Sequence, residues 1–306
     1  MGYEQINFFR GALGLNTRAA PSRLVVDPET GMCELAQAIN VDVDQFYRIC
    51  RRPGAKGTIC SVSAHSLFTA LNHTVFVSGT DLCRLENDYN HTVLANLTSE
   101  SRMSYLHLPD MIIFSNGQDK GVIDLDTWSV HPWEAGTYHG PRTDREFHSP
   151  PPGQLLEIYL GRIFIAANDV VWYTEPYAYH WVDYSENFLV QSSWVTMLRA
   201  VNGGMFIGTT TGLFFLQGNF ERLDRISSAA VVIGTDVLCE KDDLQRDLVE
   251  GIRQTGPGII CTSNEGILFL GEGGFVRNLT KNRLEYPVQN EGTAYISEGK
   301  YVVIME

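Results

Sequence analysis

Residues that could carry out chemistry are dispersed along this chain and form no recognised catalytic pattern. Its eight histidines are scattered, and His180, beside Trp181, is interpreted as a packed core residue rather than a ligand. No HExxH, GxSxG, P-loop or dinucleotide-binding glycine motif occurs. The GEGG run at 271–274 resembles part of a phosphate-binding loop, but no helical pattern follows it, so a hairpin turn is predicted. The sequence thus indicates no catalytic residue, no cofactor and no metal site.

Acidic residues are the remaining candidates for catalysis. Glycosidases act through two carboxylates that flank the scissile bond, and the chain carries many carboxylates near predicted turns. Five of these are Asp81, Asp110, Asp119, Asp169 and Glu175. Their spacing brings no two of them together, and the repeated SxDxGxTW turns of sialidase-like proteins do not occur. We therefore expect a protein that is not an enzyme, with catalysis as the weaker hypothesis.

Charge and composition restrict the classes of partner. The chain has 306 residues, a net charge of −13 and a pI near 5.0, so its overall field repels nucleic acid and acidic lipid headgroups. This argues against specific nucleic-acid binding but not against a smooth passage along which DNA slides. With 11% aromatic residues, 28 glycines and 12 prolines, the composition favours many short strands joined by tight turns.

The cysteines and the apolar runs indicate a compartment. The six cysteines lack CxxC spacing and are predicted to be free, mostly buried thiols in a reducing compartment. They are Cys33, Cys50, Cys60, Cys83, Cys239 and Cys261. The first residues lack the apolar core of a signal peptide. No run of about 18 apolar residues occurs, so no membrane span is expected.

The stretch from Gln154 to Tyr184 shows the repeating unit most clearly. Runs of β-branched and aromatic residues alternate with Gly, Asn, Asp or Pro, which is the pattern of strands and turns. The predicted strands are Leu155–Tyr159, Arg162–Ala166, Val170–Thr174 and His180–Asp183. Four antiparallel strands in about 30 residues are typical of a β-propeller blade.

Similar units recur along the chain and predict an all-β fold built as a single propeller. Besides Gln154–Tyr184, the units are Leu67–Ala95, Met103–Trp133, Val195–Leu223, and a fifth that starts at Ala229–Ile233 and resumes at Ile259–Leu279. Half-units stand at the two ends: Asn40–Val43 with Phe46–Cys50, and Thr293–Ser297 with Tyr301–Met305. We predict that these halves share one blade, which makes six blades and closes the ring without open sheet edges.

The remaining segments are an arm and two insertions in the propeller domain at 39–306. Residues 1–38 predict an extended arm, with a helical turn at Glu34–Ile39. The insertion at 139–152 reads as a surface loop, and the one at 236–255 as a short amphipathic helix. The arm and this helix each either dock on their own domain or contact a partner. If they contact a partner, the residues predicted to interact with it are Phe8, Phe9, Arg10, Leu13, Leu15, Arg18, Arg23, Leu244, Leu248 and Ile252.

Two segments resemble virion proteins of tailed bacteriophages. FFRGALGLNTRAAPSRL, followed by ELAQAINVDVDQFYRICRRPG, is similar to an arm of the form G-(I/L)-N-x-R-x-x-P-x-x-L that precedes an N-V-D-V…RRPG strand pair. CTSNEGILFLGEGGFVRNLT, at 261–280, resembles a second segment of those proteins. The resemblance implies a tail component of the nozzle, hub or stabilisation type, present in several copies around the tail axis. It carries over no active site.

Two function classes follow. The first is a structural and interaction protein of a phage tail, located in the virion after assembly in the host cytoplasm, with copies of itself and other virion proteins as partners. The second is a carbohydrate-binding or glycan-cleaving propeller that recognises a host surface, since sugars stack on exposed aromatic rings. The aromatic residues considered for this role are Trp128, Trp133, Tyr138, Trp172, Tyr177, Tyr179 and Trp181, although a blade core also needs its aromatic residues.

Overall fold

The chain forms short β-strands almost throughout the part that the structure describes. This computed structural model describes residues 11–27, 31–39, 41–43, 46, 48–51, 64–136, 145–220, 222–240, 256–281, 283–284, 291–297 and 299–305. Five antiparallel sheets of four strands make up most of it, and they coincide with the five predicted units. The all-β prediction is therefore confirmed.

The strands of these five sheets follow one another in chain order. Sheet 1 holds β5 Ala64–Ala70, β6 His73–Ser78, β7 Asp81–Leu85 and β8 His91–Asn96; sheet 2 holds β9 Ser104–Leu108, β10 Met111–Ser115, β11 Lys120–Asp124 and β12 Val130–His131; sheet 3 holds β14 Leu155–Tyr159, β15 Arg162–Ala167, β16 Val170–Tyr173 and β18 Phe188–Val190; sheet 4 holds β19 Val195–Val201, β20 Gly204–Thr209, β21 Gly212–Gln217 and β22 Arg222–Ser227; sheet 5 holds β23 Val237–Cys239, β24 Gly258–Ser263, β25 Gly266–Gly271 and β26 Phe275–Asn278. Within each sheet the strands thus pair in chain order, which is the arrangement within a propeller blade, although β17 lies between β16 and β18 in sequence and belongs to another sheet.

The smaller elements lie before, between and after these sheets. They are the parallel pair β1 Gly11–Leu15 and β2 Met32–Leu35, the hairpin β3 Val41–Val43 and β4 Ile49–Arg51, the pair β13 Phe147–His148 and β17 Val182–Asp183, the hairpin β27 Gly292–Ser297 and β28 Lys300–Met305, and single 3-10 turns at Pro21–Arg23 and Glu272–Gly274. The GEGG run is thus a tight turn that leads into strand β26, as the sequence predicts.

Successive sheets pack face to face and share apolar clusters. The second strands are the most buried, and all six residues of β20 and of β24 are buried. Burial of every residue along a strand means that both of its faces are covered. The clusters include Val75, Leu82, Ile112 and Phe114 between sheets 1 and 2; Leu106, Ile113, Ile163 and Ile165 between sheets 2 and 3; Phe164, Leu198, Met205 and Ile207 between sheets 3 and 4; and Phe206, Leu213, Ile259 and Leu270 between sheets 4 and 5. Burial of each such side chain contributes about 1.5–3 kcal/mol.

The sheets meet at their first strands. β9 lies against both β5 and β14, and β14 lies against β19. Side chains join these strands: the Leu156 amide donates to Ser104 Oγ at 2.9 Å, and the Met103 amide donates to Ser66 Oγ at 2.8 Å. The sheets therefore fan out from a common inner edge, as propeller blades do.

Two predicted strands are wrong. In the third unit, the predicted fourth strand at His180–Asp183 contributes only β17, which pairs with β13; β18 is the fourth strand of sheet 3. In the fifth unit, Ala229–Ile233 forms only isolated bridges at Val231 and Ile233, and β23 is the first strand. The predicted insertion at 236–255 therefore begins with a strand of sheet 5.

Two predictions near the N-terminus also need correction. Glu34 and Leu35 end strand β2, and residues 36–39 have no helical conformation, so the predicted helical turn is wrong. The half-blade strands at 40–43 and 46–50 are present as the shorter hairpin β3–β4. Within the described residues, this hairpin and β27–β28 are separate two-stranded sheets. The described hydrogen bonds do not join them into one blade.

The cysteines that the structure describes carry free thiols. Cys83, Cys239 and Cys261 are buried, Cys33 is half-buried and Cys50 is exposed. Burial raises the pKa of the Cys261 thiol well above its ordinary value, so it stays protonated at neutral pH. Cys60 lies outside the described residues.

Candidate functional site

The described part of the N-terminal arm rests on its own chain. Leu13 and Leu15, in strand β1, are half-buried. The Thr17 amide donates to the Arg283 carbonyl at 2.8 Å, and Arg18 Nε donates to the Leu284 carbonyl at 3.0 Å. The arm thus touches the segment that follows sheet 5.

The arm is also held together by its own hydrogen bonds. Glu34 Oε2 accepts from the Val25 amide at 3.1 Å and from Asn16 Nδ2 at 3.0 Å. These bonds hold the pKa of the Glu34 carboxyl below its ordinary value. Val25 and Val26 remain 55% and 60% exposed, so an apolar edge faces outward.

The other predicted interaction residues are only partly described. Arg23 is exposed at the end of a 3-10 turn. Phe8, Phe9 and Arg10 lie outside the described residues, as do Leu244, Leu248 and Ile252 of the predicted amphipathic helix. Their contacts remain predictions.

Asp119, one of the carboxylates considered for catalysis, has structural partners. Asp119 accepts from Thr98 Oγ1 at 2.7 Å, from the Thr98 and Ser99 amides, and from Asn116 Nδ2. Burial acts to raise the pKa of the Asp119 carboxyl, but these hydrogen bonds lower it below its ordinary value. Asp119 thereby links the end of sheet 1 to the β10–β11 turn of sheet 2.

Glu175 belongs to a cluster around Arg145. The Arg145 guanidinium lies 3.2 Å from Glu175 and 3.1 Å from Asp183, and it also pairs with Glu186. Arg145 and Glu175 line a depression of about 490 Å³ together with Arg162. The cluster joins the β13–β17 pair to sheet 3, so its charges already serve packing.

A second ionic cluster lies at the inner edge where sheets 3, 4 and 5 meet. Arg199 Nε donates to Asp236 Oδ2 at 2.6 Å, and Arg199 Nη1 lies 3.6 Å from Glu157 Oε2. Both carboxylate side chains are nearly buried, at 7% and 12% exposure, whereas that of Arg199 is 33% exposed. Burial raises the pKa of the Glu157 carboxyl despite the attraction of Arg199.

Arg102 reaches from the start of sheet 2 to the end of the chain. Its Nη1 donates to the Gly292 carbonyl at 2.7 Å, and its Nη2 donates to the Gly234 carbonyl at 3.3 Å. Gly234 precedes sheet 5, and Gly292 begins the β27–β28 hairpin. The row of five sheets is therefore curved, so that the segment before sheet 2 contacts the segment before sheet 5.

A central depression of about 330 Å³ opens beside Arg102. Its wall comes from residues that precede the first strands of sheets 2, 3, 4 and 5, from the β10–β11 and β15–β16 turns, and from the residue before β27. The residues with chemical interest are Arg102, Gln118, Gln154, Asn168, Trp194 and Glu291. Because these come from every sheet after the first, the depression lies where the sheets converge.

Trp194 is the aromatic residue of this depression, and sequence reasoning did not select it. Its side chain is 61% exposed, and its indole N–H has no hydrogen-bond partner among the described residues. Trp194 stands in the link between sheets 3 and 4, outside the strand pattern. The sequence feature that could identify Trp194 is its position immediately before the predicted first strand of a unit.

Most of the aromatic residues selected from the sequence are structural. Trp133 is buried and donates its indole N–H to the Tyr179 carbonyl at 2.9 Å. The Arg84 guanidinium lies 3.9 Å above the Trp128 ring. Trp172 packs against Tyr184 and Phe188, and Trp181 donates to the Gly136 carbonyl. Tyr177 is 81% exposed but does not line the central depression, and Tyr138 lies outside the described residues.

Two structural findings bear on other classes of function. In the part of the chain that the structure describes, no group of three or more His, Cys, Asp or Glu side chains is placed to hold a metal ion. None of the described helical segments has the length and apolar character needed to cross a bilayer.

Comparisons with known proteins give remote likenesses. No protein-family model matches the chain, and no curated protein matches it. Solved structures to which it is similar include Kluyveromyces lactis Hsv2, at 12% identity and a TM-score of 0.46, over 84% of this chain and 81% of that one. The computationally designed Ika8 protein follows at 12% identity and 0.42, over 79% and 83%. PorZ, a surface component of the type-IX secretion system of Porphyromonas gingivalis, matches at 12% identity and 0.41 over 70% of this chain, which spans only 26% of PorZ.

Proposed function

We propose that this chain is a structural and interaction component of a bacteriophage virion, a tail protein that assembles in several copies around the tail axis. The observation that carries the proposal is the N-terminal arm, which contains the residues that resemble phage virion proteins. It forms a parallel β1–β2 pair outside the five sheets. Val25 and Val26 form an exposed edge of the arm, and Ile39, Phe46 and Ile49, which follow the arm in sequence, are also 71%, 63% and 40% exposed.

Exposed apolar side chains in one region of the chain favour contact with another protein. Burial of a Val, Ile or Phe side chain yields about 1.5–3 kcal/mol, which helps to offset the rotational and translational freedom lost on association. Arg18 and Arg23 are exposed on the same arm, whereas the chain as a whole carries a net charge of −13. Their positive charges suit a second, acidic copy of this chain as the partner.

A double substitution of Val25 and Val26 by Ser tests this proposal. It removes two exposed methyl-bearing side chains and leaves the arm backbone unchanged, so folding should persist while assembly is lost. Oligomeric state is measured by light scattering, and virion position by cross-linking in purified phage particles. The matched control is Val190→Ser, which alters a valine that is 62% exposed in sheet 3. Unchanged assembly of the arm variant, or absence of the wild-type protein from virions, would refute the proposal.

The sixth blade also belongs to the proposal. We infer that β3–β4 and β27–β28 lie in one blade, which closes the ring. Two observations support closure: Ile296 and Tyr301 of β27–β28 pack on the outer face of sheet 5, and Arg102 joins sheet 2 to Gly292.

Deletion of residues 293–306 tests closure, because it should expose sheet edges and cause aggregation. Substitution of Tyr295 by Ser, at a side chain that is 50% exposed, serves as the control for the same strand. A soluble truncated protein with an unchanged melting transition would show that the hairpin is not needed for closure.

A further inference from the structure

We propose that the central depression binds a neutral saccharide, with Trp194 as its stacking platform. The proposal does not depend on a role in a virion. It rests on the size and position of the depression, on the exposed indole and on the polar side chains that surround it.

The depression has the size and position of a ligand site. Its volume of about 330 Å³ falls at the lower end of the range of small-molecule sites, about 300–1,000 Å³. This suits one or two sugar rings. Residues from four sheets converge on it, so the wall is set by the packing of the sheets rather than by one loop.

Trp194 supplies the apolar surface that such a ligand needs. Its side chain is 61% exposed, although burial of an aromatic side chain of this size would be strongly favourable. Sugar rings present C–H groups on one face, which pack on an indole, and hydroxyl groups around the edge. An indole N–H without a partner in the described structure can also donate to a hydroxyl oxygen.

The polar groups around Trp194 are suited to hydroxyl groups. Gln154 Oε1 accepts from the Asn168 amide at 3.2 Å, and its Nε2 hydrogens have no partner in the described part of the chain. The side-chain amides of Asn168 and Gln118 have none there either. Amide groups both donate and accept, as hydroxyl groups do.

The charges of the depression argue for a neutral ligand. Arg102 uses Nη1 and Nη2 for the Gly292 and Gly234 carbonyls, and Glu291 lies in the same wall. The two formal charges cancel, so the depression offers no net positive charge to a phosphate or a carboxylate. A nucleotide could stack on Trp194, but its phosphate would also meet the net charge of −13.

Binding is measured by titration calorimetry and ligand-observed NMR on the full chain. The probes are glucose, galactose, mannose and N-acetylglucosamine, together with maltose, lactose and chitobiose; glucuronic acid, AMP and a hexapeptide of alternating Ser and Ala test other classes. We expect at least one neutral sugar to bind, Trp194→Ala to weaken its binding about tenfold or more, and Trp194→Phe to retain most of it. Gln154→Ala should weaken binding less than Trp194→Ala.

The matched control is Tyr89→Ala, because Tyr89 is 66% exposed in the β7–β8 turn and does not line the depression. It should bind sugar as the wild type does. The proposal is overturned if no neutral sugar binds, if Trp194→Ala and Tyr89→Ala bind equally well, or if only glucuronic acid, AMP or the peptide binds. Circular dichroism of each variant excludes loss of folding as the cause of weakened binding.

Discussion

Replacement of Arg199 by Met should destabilise the protein strongly at neutral pH and much less in mild acid. Arg199 is the only described cation within salt-bridge distance of Glu157 and Asp236. Met keeps the apolar stem of the side chain but removes the positive charge. Two carboxylates would then face each other at the inner edge of sheets 3, 4 and 5 without a counter-ion.

The expected magnitude follows from the burial of the three side chains. Removal of one partner of a buried ion pair costs about 3–5 kcal/mol. Because the Arg199 side chain is one-third exposed, water offsets part of this loss, and we expect about 2–4 kcal/mol. With an unfolding entropy of about 2.1 cal/mol/K per residue, the melting temperature should fall by about 3–6 °C.

The pH dependence provides a second test. Burial raises the folded-state pKa of Glu157 above its ordinary value, so its contribution to stability is complete at low pH and is lost as the pH rises through that pKa. In the Arg199→Met variant this pKa should rise further, because the attraction of the guanidinium is gone. The free energy of unfolding of the variant should therefore increase as the pH falls from 7 to 5, approaching that of the wild type.

Urea unfolding at pH 7 and pH 5 measures both effects. The matched control is Arg222→Met, which removes a pair of the same N–O length, 2.6 Å to Asp224, between side chains that are 70% and 36% exposed. Exposed pairs contribute about 0–1 kcal/mol, so this control should change little. If the Arg199 and Arg222 variants lose equal stability, or if the Arg199 variant shows no pH dependence, burial is not what makes the inner cluster important.

Three further predictions concern single contacts. Asp119→Asn should lower the free energy of unfolding by about 1–2 kcal/mol at pH 7. Because the pKa of the Asp119 carboxyl is lowered in the folded state, its contribution to stability is present above about pH 4 and is lost as the pH falls through the folded-state value. The urea midpoints of the variant and the wild type should therefore converge in acid. Gly234→Ala should destabilise the protein by about 1–3 kcal/mol in thermal unfolding. Gly234 has φ of +75°, and a Cβ there would meet the Arg102 guanidinium at 2.0 Å. Equal stability of variant and wild type would mean that the Arg102 contacts contribute nothing. Tyr105→Phe should leave stability unchanged or raise it by up to about 1 kcal/mol in urea unfolding, because the buried Tyr105 hydroxyl has no described hydrogen-bond partner; a clear loss would reveal a partner such as an ordered water.

The sequence predicts the hairpins well because their turns depend on local residue types. The turn at Gly161 has φ of +68°, a conformation that favours glycine. The turn at Asn168-Asp169 likewise uses a residue that tolerates positive φ, with φ of +60° at Asn168. The sequence predicts strands β14, β15 and β16, on either side of these turns, to within one residue.

Errors arise where two segments compete for one place in a sheet. Ala229–Ile233 is a longer apolar run than the Val-Leu-Cys of β23, so the sequence predicts it as the first strand of sheet 5. Ala229 and Val231 are indeed buried, at 0% and 3% exposure, but this segment serves as a link while β23 pairs with β24. Apolar character predicts burial, whereas strand pairing depends on contacts distant in sequence.

The central depression could not be predicted for a related reason. Gln118, Gln154, Trp194 and Glu291 are far apart in the sequence and lie outside the strands, where no periodic pattern marks them. Only the curvature of the row of sheets brings them together. The sequence does predict that exposed aromatic residues would matter for sugar binding, but it gives no way to separate Trp194 from tryptophans that pack in the core.

The chain-order pairing of strands within each sheet has a consequence for how the protein folds. Contacts within a sheet join residues that are close in sequence, so each sheet closes only short loops and should form quickly as the chain is synthesised. The face that packs on the following sheet, however, is covered only when that sheet emerges and docks, as in a linear repeat protein. Nascent chains that stop after sheet 4 should therefore expose Leu213 and Phe206 and bind chaperones until β24 and β25 arrive.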